Sequence, residues 1–269
     1  MLRFLRHSFL ALGLLAAGAS VAPGGARADV EVDLALVIAV DISYSMDPEE
    51  LALQRQGFAD AFRSAVVHDA IRNGVLGRVA VIYMEWAGNW DQRVMVPWTV
   101  IENPDSARAF ADKVAAVPVR RAQRTSISGA IDFGVGLLGQ SAVDATRRVI
   151  DISGDGANNQ GRVVTVARDE AVAQGIVVNG LPIMLKRPGY LDIPDLDIYY
   201  RDCVIGGTGS FMVPVRHRDQ FAQAIKTKIM REIADLAPPQ PLIQRAQAGE
   251  AARANCLVGE TQWRERMGN

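Results

Sequence analysis

The sequence predicts a doubly wound α/β fold, with a mostly parallel central sheet and helices on both faces. Two observations carry this. Strand-length apolar runs alternate with helical stretches for most of the chain, with cap and turn residues between them. The run Val32 to Val40 is nearly all apolar, as expected of a central parallel strand covered on both sides.

After that first strand, Asp47-Pro48-Glu49-Glu50 reads as a helix start, with Asp at the N-cap, Pro at the first position and Glu at the third. Leu51, Phe58, Phe62 and Val66 continue an apolar face at helical spacing, and His68 falls toward the end of the same helix. Arg78 to Trp86 is a second strand. Gln92 to Val100 is a third, able to pair with it as a hairpin across Gly88-Asn89. Asn103-Pro104-Asp105 opens a helix to about Val117, and a further helix runs from Ser126 to about Leu138. The strand Arg148 to Ile152, the helix Val163 to Gln174, the strand Ile176 to Leu185 and the amphipathic helix Arg218 to Leu236 complete the domain. In such sheets ligands sit at the carboxyl ends of the strands, so the chemistry is expected after Val40, Trp86 and Ile152 and near Thr125.

Residues 1–28 read as a secretory signal peptide, with Arg3 and Arg6 before the apolar run Phe9 to Ala17 and an Ala26-Arg27-Ala28 cleavage pattern. The rival reading, an uncleaved anchor, needs a longer apolar run than this one, which Pro23-Gly24-Gly25 follows. Removing the segment takes Arg3, Arg6 and Arg27 and no acids, so 26 Lys+Arg face 30 Asp+Glu and the formal charge is about −4. That balance does not favour nucleic-acid binding. The chain then divides into a domain over residues 29–236 and a polar tail over 237–269, set off by Pro238-Pro239-Gln240-Pro241. No stable membrane span is expected after cleavage, and the protein is placed in the periplasm or outside the cell.

An oxidising compartment permits a disulfide between the two cysteines, Cys203 and Cys256. Paired, they would close a loop of about 50 residues, worth about 4 kcal/mol on the chain-entropy account, and would pin the tail. The alternative is a buried Cys203 and an incidental tail thiol.

Asp41-Ile42-Ser43-Tyr44-Ser45, directly after the first strand, places a carboxylate and two hydroxyls at every second residue. Oxygen ligands of this kind suit a small hard cation, whereas soft-metal sites need thiolates or imidazoles. The chain has three His and two Cys, which argues against a zinc site. Thr125, just before a helix, and Asp155, in Ser153-Gly154-Asp155-Gly156 after a strand, add oxygens from two further loops. Any one of these loops alone reads equally well as turn capping.

Together, in this order and spacing, Asp41, Ser43, Ser45, Thr125 and Asp155 resemble the metal-ion-dependent adhesion site (MIDAS) of von Willebrand factor A domains. The resemblance covers about residues 30 to 236, and within the superfamily the chain looks most like an exported bacterial branch of unknown function. It implies a bound Mg²⁺ or Mn²⁺, with Ca²⁺ ranked behind both, and a protein partner that offers an Asp or Glu to the ion. The chain departs from the better-known adhesion domains in Glu85-Trp86 and in the insertion Lys186 to Ser210.

Glu85, Trp86, Asn89 and Trp90 form a loop set that fits either hairpin packing or partner recognition. The insertion, with Asp192, Asp195, Asp197, Tyr199 and Tyr200, reads either as a partner contact or as a surface loop held by Cys203. Gly206-Gly207-Thr208-Gly209 lacks the Lys and the context of a phosphate loop and reads as a turn. Three functions follow: a non-enzymatic, metal-dependent protein-binding module of the envelope; a phosphoesterase-like metal-assisted hydrolase, against which stands the absence of a second acid at Ser43; and a structural envelope subunit with a vestigial site.

Overall fold

The computed structural model describes residues 30–186, 189, 193–234 and 253–268. The signal-peptide expectation and Asp192 lie outside the described residues. Five strands form one sheet in the order β3-β2-β1-β4-β5. They are β1 (Val30–Asp41), β2 (Val79–Trp86), β3 (Gln92–Ile101), β4 (Val143–Gly154) and β5 (Ile176–Pro182). All pairings are parallel except the β2–β3 hairpin at the edge. β1 lies between β2 and β4 in unbroken register, Asp41 beside Trp86 and Val40 beside Ser153. That register delivers the ends of all three strands to one rim of the sheet.

The alternation of β1 builds two cores. Leu34, Leu36, Ile38 and Val40 face one layer, which holds Phe58, Phe62, Phe110, Ile225 and Ile229 from α1 (Pro48–Arg63), α3 (Pro104–Ala115) and α7 (Phe221–Ala234). Ala35, Val37 and Ala39 face the other, with Ile131 from α4 (Ile127–Gly139), Ala167 from α5 (Val164–Ala173) and Tyr199 from the short α6 (Leu196–Tyr199). Small residues on this second face let the helices lie close.

Several boundaries differ from the sequence expectation. The first helix stops at Ser64, whose backbone is extended and whose hydroxyl donates to the Ala61 carbonyl at 2.7 Å. A separate α2 (Ala65–Arg72) restarts the spiral with Val67 and Ile71 inward, so Val66 is exposed rather than on the core face and His68 belongs to α2. β4 begins at Val143, five residues before Arg148, because β1 extends down to Val30 and pairs with it. β5 ends at Pro182, and α7 is preceded by a 3₁₀ turn over Arg218–Gln220.

The insertion is a buried element as much as a surface loop. α6 runs on into a π-helical turn, Tyr200–Val204, and Tyr199 and Tyr200 are wholly buried against the sheet. The Tyr200 ring lies on Gly180, where a Cβ would stand 2.6 Å from its Cδ1. Contrary to the partner-contact expectation, the two tyrosines present no surface to a partner. Asp197 is held by Arg216 at 2.7 Å. Cys203 and Cys256 are joined as a disulfide, and beyond it the tail forms α8 (Val258–Met267), which returns to the rim of the sheet. Among the described residues no helix is long and apolar enough to cross a membrane.

Candidate metal centre

At the end of β1 the chain turns on Asp41, whose Oδ1 accepts the Ser43 backbone N–H at 2.7 Å. The turn aims both serines at the rim. Ser43 Oγ lies 2.7 Å from Ser45 Oγ, and Ser45 Oγ donates to Asp155 Oδ1 at 2.6 Å across 110 residues of sequence. Asp155 reaches this point because β4 is in register with β1 and ends at Gly154, immediately before it.

Thr125 comes from the loop before α4. That loop is fixed by Ser126, which caps α4 through Gly129 N–H at 3.1 Å and donates its own N–H to the Ala87 carbonyl at 2.7 Å. Thr125 and Asn159 clasp each other: Thr125 N–H donates to Asn159 Oδ1 at 3.0 Å, and Asn159 N–H to the Thr125 carbonyl at 2.8 Å. Its hydroxyl does not bond the serines but lines the same cavity, of about 460 Å³, as Ser43 and Ser45. The structure thus links Asp41, Ser43, Ser45 and Asp155 in one hydrogen-bonded chain and sets Thr125 on the wall of the cavity.

Whether a cation fits can be judged from the oxygens. Asp41 is fully buried, yet its Oδ2 has no hydrogen-bond partner among the described residues. Gly154 leaves it room, since a Cβ there would stand 2.8 Å from that oxygen. Burial, and then repulsion from Asp155, push the Asp41 carboxyl up to about 8. Burial also raises Asp155, against the pull of Ser45 and Lys186. Two crowded carboxylates, one orphaned oxygen and three hydroxyls form a donor set that suits a hard divalent ion. Among the described residues no group of three His, Cys, Asp or Glu is placed to hold a metal. A site here therefore depends on the hydroxyls.

Sequence reasoning missed Lys186. Its ammonium pairs with buried Glu50 at 2.6 Å, lies 3.4 Å from Asp155 Oδ2 and contacts the Ser45 carbonyl. Nothing in the local pattern marks a lysine in an insertion as a neighbour of the Asp41 loop. The contribution of α8 was missed as well: Trp263 and Arg266 line the same cavity as the serines and Thr125. The one signal available was the possibility that Cys203 pairs with Cys256.

The hairpin set divides. Trp86 and Glu85 are buried, at 0% and 1% exposure, and Glu85 pairs with Arg120 at 3.2 Å. As core and strut residues they offer no recognition surface. Asn89 accepts weakly from Ser126 and donates its N–H to Gln160, which leaves Trp90, 90% exposed, as the member open to solvent.

A family model described as protein of unknown function (DUF1194) matches residues 31–237, most of the chain. The chain belongs to the DUF1194 family. Its fold is that of von Willebrand factor A domains, as shown by three similar solved structures. Proximal thread matrix protein 1 from the mussel byssus, solved with a zinc-occupied MIDAS motif, is 12% identical with a TM-score of 0.55, covering 77% of this chain and 49% of that one. The pilus adhesin SpaC from Lactobacillus rhamnosus GG is 11% identical with a TM-score of 0.57, covering 75% and 31%. A von Willebrand factor type A protein from Catenulispora acidiphila is 13% identical with a TM-score of 0.51, covering 75% and 43%. The DUF1194 chain thus spans half or less of the length of these neighbours. No curated protein matches it in sequence.

Proposed function

We propose that this DUF1194 protein is an exported, non-enzymatic, metal-ion-dependent protein-binding module. Asp41, Ser43, Ser45, Thr125 and Asp155 would hold Mg²⁺ or Mn²⁺, and a protein partner would supply an Asp or Glu to complete the coordination. The observation that supports this reading is the convergence of Asp41, Ser43, Ser45 and Asp155, from loops 110 residues apart, into one hydrogen-bonded chain, with the second carboxylate oxygen of Asp41 left without a partner among the described residues. When bound, the ion would supply positive charge for an incoming carboxylate. The chain's own residues position it: the Asp41 turn and the Ser45–Asp155 bond fix the oxygens, and the Thr125–Asn159 clasp keeps the third loop in place. The exported reading rests on residues 1–28 and on the Cys203–Cys256 disulfide, which suits an oxidising compartment.

Calorimetry of the mature chain with Mg²⁺ and Mn²⁺ tests this. Saturable binding that Asp41→Ala abolishes is expected; absence of binding at millimolar metal refutes it. Retention of an envelope protein that EDTA releases would separate this reading from that of a structural subunit. Metal-dependent turnover of a generic phosphoester, lost in Asp41→Asn, would instead favour the hydrolase.

A further inference from the structure

The cavity beside the metal-ligand loops has a second wall that the ligand set does not explain. Ser43, Ser45 and Thr125 form one side; Arg124, Trp263 and Arg266 form the other. The Arg124 guanidinium stacks 3.3 Å from the centre of the Trp263 ring, and that of Arg266 lies 5.5 Å from the same ring. Neither arginine has a carboxylate partner among the described residues, whereas Arg120 and Arg162 each pair with two acids. Two guanidiniums flanking one indole and left without a counter-charge make a strong anion-binding arrangement.

This wall is built, not incidental. α8 is tied to the domain by Cys203–Cys256, by Ala254 N–H donating to Asp202 at 2.9 Å, and by Asn158 Nδ2 donating to Glu260 Oε1 at 2.7 Å. Gly259 rests on the Asn158 carbonyl so closely that a Cβ would stand 2.2 Å from it. Within the same wall Arg124, from the loop before α4, is held at φ 75°, in the left-handed region that non-glycine residues rarely adopt. Both arginines are thus presented to the cavity by a fixed backbone.

We propose that this groove takes an acidic partner segment carrying two carboxylates, the first directed to the metal ligands and the second paired with Arg124 and Arg266 beside Trp263. The proposal rests on the metal-dependent reading of the site and adds what selects the partner. A volume of about 460 Å³ falls within the usual range of ligand clefts. The planar forks of the arginines match carboxylate geometry, and a carboxylate entering the cavity beside Trp263 gains charge-assisted bonds without displacing an ion pair among the described residues.

The test uses phage-displayed random dodecapeptides selected on the mature, disulfide-intact protein in Mn²⁺ and eluted with EDTA. Enriched sequences are expected to carry two Asp or Glu. For one such synthetic peptide, Arg266→Gln should weaken binding about tenfold. Replacing the peptide's second acid by its amide should do the same to wild type, and should then have little further effect on the variant. Arg266→Glu should shift selection toward peptides with Lys or Arg at that place, a change that a merely structural role for Arg266 would not produce. If enriched peptides carry a single acid, or if the two losses simply multiply, the subsite is overturned while the metal reading stands. If no peptide elutes with EDTA and none binds, the metal reading falls and the subsite with it. Enrichment of phosphorylated or nucleic-acid ligands over diacidic peptides at equal concentration would also overturn the assignment.

Discussion

Replacing Asp41 with Asn should make the metal-free protein more stable while removing its response to Mg²⁺. In the folded state the Asp41 carboxyl is raised to about 8 from an ordinary 3.8, chiefly by burial and then by Asp155. The folded chain therefore holds this proton more tightly than the unfolded chain does. Below pH 3.8 the group has no net effect. Between that point and pH 8 stability falls as pH rises, and above pH 8 the loss is complete. At pH 7 about three units of that span have been crossed, at about 1.4 kcal/mol each, for an upper limit of about 4 kcal/mol. Asn at this position keeps an oxygen for Ser43 N–H but buries an unpartnered amide where Oδ2 now lies, a cost of about 1–3 kcal/mol. The net gain expected in EDTA at pH 7 is about 1–3 kcal/mol.

The same carboxylate reverses the order once metal is present. With Mg²⁺ at about 100 times its dissociation constant, wild type should gain about 2.7 kcal/mol, and Asp41→Asn should gain nothing. Urea denaturation of both proteins at pH 6, 7 and 8, in EDTA and in Mg²⁺, reads these terms directly. In EDTA the wild-type midpoint should fall with pH and the variant midpoint should stay flatter. A variant less stable than wild type in EDTA at pH 7, with the same pH slope, would refute the reasoning.

Cys256→Ser should lower stability by about 4 kcal/mol on the chain-entropy account and free α8, seen as a red shift in emission that a Trp263→Phe background lacks. Lys228→Met should destabilise by about 3–5 kcal/mol, because Lys228 pairs with Asp151 at 2.8 Å and Glu232 at 2.6 Å inside the core and both acids would lose it. Part of that loss should return between pH 7 and 5, since burial already raises Asp151 to about 6 and the proton is held more tightly in the folded state; urea midpoints against pH check it. Trp86→Ala should lower stability by about 3–5 kcal/mol and Trp90→Ala by less than about 0.5, a contrast set by 0% against 90% exposure. Lys186→Met should tighten Mg²⁺ binding several-fold in calorimetry, because an ammonium 3.4 Å from Asp155 opposes any cation placed there.

The central strands and the ligand motif were legible because each is written locally. An apolar run the length of β1, a capping box at Asp47 and Asp-x-Ser-x-Ser directly after the strand need no knowledge of the rest of the chain. What failed depended on distant partners. Val66 kept helical spacing with Phe62 but fell outside the core, since the Ser64 hydroxyl bond to Ala61 ends α1 and resets the phase. Glu85 and Trp86 fall at the end of the expected second strand and are open to either packing or recognition, until the register of β2 against β1 puts them inside the sheet. Tyr199 and Tyr200 sit in a polar insertion, and only the groove over Gly180 and the sheet explains their burial.

The two halves of the site therefore rest on different supports. The oxygens around Asp41 are placed by strand register, and moving one would slip a β1 pairing that also aligns both hydrophobic layers. The arginine wall takes Arg124 from the loop before α4, but Trp263 and Arg266 from a tail helix that the sheet does not need, held by one disulfide and a few polar contacts. On the proposed reading, changes in α8 would alter which acidic segment fits the cavity without moving any of the five proposed ligands. That separation would let the fold fix the proposed metal chemistry while the edge of the domain sets the proposed choice of partner.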